Sequence, residues 1–150
     1  KAAWRTDPRV SIAATARDCV EDADVVVLAT SSGTPVIDPA WLGPQVLVTS
    51  ISTNAALAHE VPPAFLTTAQ VYCDNAATTP DSAGEMALAR RDHGWTADAI
   101  RGDLAGLCCG TCPLPEPGRP VFFRSIGLGL EDVAIAHAVW AAAREEGERP

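Results

Sequence analysis

Aromatic residues make up only 5% of this chain, with a single Met and a single Tyr. Its core must therefore be built from Ala, Val, Leu and Ile, the material of buried parallel strands and the helices that cover them. No apolar run approaches the roughly 20 residues needed to cross a bilayer. Basic residues are also scarce. Eleven Lys and Arg face nineteen Asp and Glu, a formal charge of −8, which argues against nucleic acid and acidic membranes as partners. Three motifs are missing: a Gly-x-Gly-x-x-Gly turn after a strand, a P-loop, and a Gly-x-Ser-x-Gly elbow. The five Cys (Cys19, Cys73, Cys108, Cys109 and Cys112) lack paired metal-ligand spacing, so no metal is expected. Their odd number, and an opening Lys-Ala-Ala-Trp-Arg without an apolar signal segment, lead us to expect reduced thiols in the cytoplasm.

What is present points to one α/β domain. The 150 residues are 47% hydrophobic, ample for a core. Strands are expected at Val10–Ala13, Asp24–Thr30, Gln45–Ile51, Gln70–Asp74 and Val121–Arg124. The second of these reads as buried on both faces. Helices are expected at Thr15–Ala23, Pro80–His93 and Val133–Glu146, with short turns near Pro39, Val61 and Ala97. Leu107–Pro120, rich in Cys, Gly and Pro, reads as loop. The alternation implies a doubly wound, mostly parallel sheet.

Ligands of such sheets bind beyond the carboxyl ends of the strands. Four places qualify: Thr30-Ser31-Ser32-Gly33, Ser50-Ile51-Ser52-Thr53-Asn54, Asp74-Asn75 and Ser125-Ile126-Gly127. Each is rich in small hydroxyl or amide residues, which are also ordinary turn formers. Together they favour a site. The Ser-x-Gly turn before the last helix is expected to offer backbone N–H groups and a hydroxyl to a cofactor or anion.

Several segments resemble the ornithine cyclodeaminase/mu-crystallin family. They are Asp22-Ala23-Asp24-Val25-Val26-Val27-Leu28-Ala29-Thr30-Ser31-Ser32, Pro35-Val36-Ile37 with Trp41-Leu42, Ser50 through Glu60, and Pro120 through Gly127 with Glu131-Asp132. The resemblance is to the C-terminal half of family members. It implies a partial Rossmann domain whose glycine motif and substrate domain lie upstream, in a protein that forms a homodimer. It implies NAD or NADP as cofactor and a small imino or amino acid as substrate. Thr30 and Ser31 would line the adenine–ribose or pyrophosphate side, Ile51 would pack near the nicotinamide, and Ser125 would bond the carboxamide or the substrate. Asn54 falls where cyclodeaminases hold a catalytic Asp. An amide cannot act as a carboxylate base but can orient a substrate. The resemblance therefore favours reduction of a cyclic imino acid over ornithine cyclodeamination. A non-enzymatic nucleotide-binding protein is the remaining alternative.

Among the histidines, His59 has the best functional position, beside Glu60 and near Asn54. His137 and His93 read as structural, and Glu131-Asp132 as acids suited to a helix start.

Overall fold

The computed structural model describes residues 7–51 and 55–147. Five strands form one parallel sheet: β1 (Val25–Leu28), β2 (Leu47–Ser50), β3 (Gln70–Cys73), β4 (Ile100–Asp103) and β5 (Val121–Arg124). Their spatial order is β1-β2-β5-β3-β4. The chain thus moves outward to β4 and returns to the middle with β5, which pairs with β2 on one side and β3 on the other. This return puts the end of β5 between the ends of β2 and β3, at the centre of the carboxyl rim.

Five α-helices connect the strands: α1 (Ala16–Val20), α2 (Thr79–Ser82), α3 (Gly84–Asp92), α4 (Leu104–Cys109) and α5 (Gly129–Gly147). α1 begins with a capping box. Thr15 accepts from the Asp18 N–H, and the Asp18 carboxylate accepts from the Thr15 N–H. The expected helix over 80–93 is broken at Ala83, whose extended backbone separates α2 from α3.

One sheet face is closed. Val26, Leu28, Val48, Val71 and Phe122 pack there with Phe65, Leu66, Met86 and Ala89. Phe65 meets Phe122 edge to face at 6.0 Å, a favoured aromatic geometry. The other face is more open, and β1 is an edge strand with Val25 55% and Val27 62% exposed. The expectation that this strand is buried on both faces is thus corrected to alternation, with Val26 and Leu28 inward.

Val10–Ala13 forms no strand, and Val10 and Ile12 are exposed. The sequence reading missed β4 and placed α4 partly in a loop. α5 begins at Gly129, earlier than expected, and presents Leu130, Val133, Ile135, Val139 and Trp140 exposed. No helix among the described residues is long and apolar enough to cross a membrane.

Candidate functional site

Asp74 follows β3 directly and is almost fully buried. Its Oδ1 accepts from the Thr79 hydroxyl at 2.6 Å and the Asn75 N–H at 2.9 Å. Its Oδ2 accepts from the N–H groups of Ile126 and Gly127, at 2.7 and 3.0 Å, and from the Ser125 hydroxyl at 3.2 Å. Backbone N–H groups that the sequence reading offered to an anion are therefore taken by the protein's own carboxylate. Gly127 adopts φ 77°, a left-handed conformation that Gly enters at little cost. Asp74 thus holds the β5 turn against the end of β3.

A second set of charges lies between β1, β2, β5 and α3. Glu60, Glu85 and Arg124 are all fully buried. Glu60 Oε1 accepts from the Thr30 N–H at 2.6 Å, and its Oε2 accepts from the Ser50 hydroxyl at 2.7 Å. Arg124 Nη1 donates to Ser50 Oγ at 3.1 Å and to the Ser50 carbonyl at 3.3 Å. Arg124 Nε lies 3.0 Å from Glu85 Oε1, near enough for strong attraction but misaligned for a hydrogen bond. Burial pushes the Glu85 carboxyl above its usual range, and the Arg124 guanidinium works in the opposite direction.

The local chain geometry is tight here. Leu57 has φ 60°, an uncommon conformation for a branched residue. A Cβ at Gly84 would run into the carbonyl oxygen of Ala58. Only Gly lets the start of α3 approach this backbone so closely. That approach brings Glu85 beside the segment carrying His59 and Glu60, and His59 Nδ1 sits 2.7 Å from the Leu57 carbonyl oxygen.

Of the residues singled out from sequence, Thr30, Ile51 and Ser125 follow β1, β2 and β5 in the chain and share one rim. Ser31 continues from Thr30 and is exposed. The Thr30 hydroxyl accepts from the Ser32 N–H at 3.1 Å, closing its own turn. Ile51 is 55% exposed, so it presents apolar surface to whatever covers the rim. Asn54, with Ser52 and Thr53, lies outside the described residues. A groove of about 490 Å³ opens along Ala56, Asp81, Ser82, Ile126 and Gly127, within the usual size range for small-molecule sites. Small side chains and this groove fit one side of a dinucleotide. Among the described residues no cluster of three His, Cys, Asp or Glu is arranged to hold a metal ion.

Sequence reasoning passed over Glu85 and Arg124 as a pair. One signal was available. In a strand, residues two apart face the same side, so Arg124 shares the inward face of Phe122 and needs a buried partner.

A parallel sheet whose returning central strand places polar turns along the carboxyl rim defines a doubly wound, nucleotide-binding class of α/β domain. Within that class, residues 1–147 match the ornithine cyclodeaminase/mu-crystallin family model, and the chain belongs to this family. It is 56% identical over 134 residues to an NAD(P)H-dependent anabolic L-arginine dehydrogenase from Pseudomonas aeruginosa, covering 89% of this chain and 42% of that protein. The iminosuccinate reductase of Paracoccus denitrificans, solved with NAD+, is 28% identical with a TM-score of 0.74, over 84% of this chain and 38% of that one. The Δ1-pyrroline-2-carboxylate reductase of Thermococcus litoralis, solved with NADH and L-proline, shares the fold. Its TM-score is 0.79 at 22% identity, over 89% of this chain and 42% of that one. The chain therefore spans about two fifths of the length of these relatives.

Proposed function

We propose that the intact protein reduces the C=N bond of an α-imino acid with NADH or NADPH, yielding an L-amino acid. The observation that carries this reading is the 56% identity to an NAD(P)H-dependent arginine dehydrogenase. The open rim and its groove support it. In this chemistry the cofactor supplies a hydride to the imine carbon and solvent supplies the nitrogen proton, while the protein supplies position and electrostatics. This chain contributes the back part of the dinucleotide domain. Thr30 and Ser31 lie along the ribose and pyrophosphate side, Ile51 packs near the nicotinamide, and Ser125 bonds the carboxamide or the substrate. Asn54 orients the substrate by hydrogen bonding.

The arginine dehydrogenase favours an open-chain imine, formed from the 2-keto acid of arginine and ammonia. The fold shared with a pyrroline-2-carboxylate reductase favours a cyclic one as the second reading. Both are tested by following loss of reduced nicotinamide absorbance with the intact gene product. One arm adds the keto acid with ammonia, and the other adds Δ1-pyrroline-2-carboxylate. Turnover in the first arm alone selects the open-chain substrate, and turnover in the second selects the ring. Ammonia release from ornithine with NAD would replace both readings with cyclodeamination. Nucleotide binding with no turnover in any arm would leave a binding protein of the mu-crystallin kind.

A further inference from the structure

Glu60, Glu85 and Arg124 bring two formal negative charges and one positive charge into a region closed to solvent. Taking such a set out of water is costly, and apolar residues of similar volume are often as stable or more so. Stability alone is therefore a poor reason for the arrangement. What these groups provide, and apolar ones would not, is direction. Glu60 holds the Thr30 N–H at 2.6 Å and the Ser50 hydroxyl at 2.7 Å. Arg124 continues from Ser50 Oγ at 3.1 Å to Glu85 at 3.0 Å. The contacts run without a break from the end of β1, through the ends of β2 and β5, into the first turn of α3. An apolar cluster would fill the same space without fixing how far each strand end projects.

We propose that Glu60, Ser50, Arg124 and Glu85 form a positioning brace that sets the relative placement of Thr30–Ser31, Ile51 and Ser125 for a single dinucleotide. The proposal rests on the dinucleotide reading above. Glu60 and Arg124 are its positioning residues, acting through the strand ends. Asp74 fixes the β5 turn from the opposite side and is not part of the brace.

The test uses the intact gene product, with melting temperature, NADH affinity by fluorescence titration, and kcat and KM measured together. The double variant Arg124→Met/Glu85→Leu replaces the ion pair with apolar side chains. It is expected to melt within a few degrees of the unaltered protein yet bind NADH about tenfold or more weakly, because misplaced contact groups lose binding and rate. Val71→Ala, buried in β3 away from the brace, is the control. It is expected to lower the melting temperature and leave NADH affinity unchanged. Wild-type affinity in the double variant, or an equal loss in the control, would overturn the brace. Should the double variant not fold, Glu60→Gln decides. It keeps the shape but replaces one acceptor oxygen with a donor, and unchanged NADH binding in it overturns the proposal. Failure of the unaltered protein to bind NADH would instead overturn the dinucleotide reading.

Discussion

On the β3 side of the rim, Asp74 is held by five N–H and O–H groups within 3.2 Å, none of them from a cation. On the β1–β2 side, Glu85 faces a cation at 3.0 Å, and its oxygens receive no hydrogen bond from another described residue. The same functional group is thus buried in two ways within one rim. Donors satisfy a carboxylate directionally and order the turn that supplies them. A charge partner attracts without fixing orientation, and leaves part of the desolvation cost standing. Glu60 stands between the two, with a donor on each oxygen and the cation one hydroxyl away.

The comparison breaks first at Asp74. Asp74→Ala strips the acceptor from five donors, and urea unfolding should record a loss of about 3–5 kcal/mol, at the high end for one substitution. Asp74→Asn keeps one acceptor oxygen and should lose about half as much. If Asp74→Ala proves no worse than Glu85→Leu, the contrast between donors and charge is wrong.

A smaller effect concerns pH. The Glu85 carboxyl is held above its unfolded value, with burial as the leading cause. The folded state therefore binds this proton more tightly than the unfolded state. The resulting stability is present below the unfolded pKa and is lost as pH rises through the raised folded one. The stability of Glu85→Gln minus that of the unaltered protein should become more positive between about pH 4.5 and neutrality. A flat or falling difference would show that Arg124 fully compensates the buried charge.

The smallest effect is kinetic. Burial pushes the Cys73 thiol up to about 11, and the neighbouring Asp74 charge adds to the shift. Cys73 should stay unmodified by a thiol reagent at pH 8 while exposed Cys108 and Cys109 react. Asp74→Asn should speed Cys73 labelling. Equal labelling in both proteins would mean that Asp74 does not hold the end of β3 closed.

The sequence made the parallel architecture readable because β1, β2, β3 and β5 carry apolar runs that end in small polar residues. β4 was not readable in the same way. Ile100-Arg101-Gly102-Asp103 has two charges and a Gly in four positions, and pairing with β3 creates the strand despite its weak propensity. Gly102 leaves room for the Cys112 side chain, a long-range reason invisible in local pattern. α4 did carry signals. Asp103 accepts from the Gly106 N–H at its start, and Gly110 ends it with φ 67°. The break at Ala83 follows from the docking of Gly84 on Ala58, again a contact across the fold. The rim positions of Thr30, Ser31, Ile51 and Ser125 came from strand ends and family resemblance. The carboxylates that organise them come from partners brought together only by the return of β5.

For anyone redesigning this rim, position 84 is the fixed point from which to work. The start of α3 meets the Ala58 backbone with no side chain between them. Adding a single methyl there would pry apart the two segments that carry Glu60 and Glu85, so one carbon atom could detune a cofactor seat it never touches.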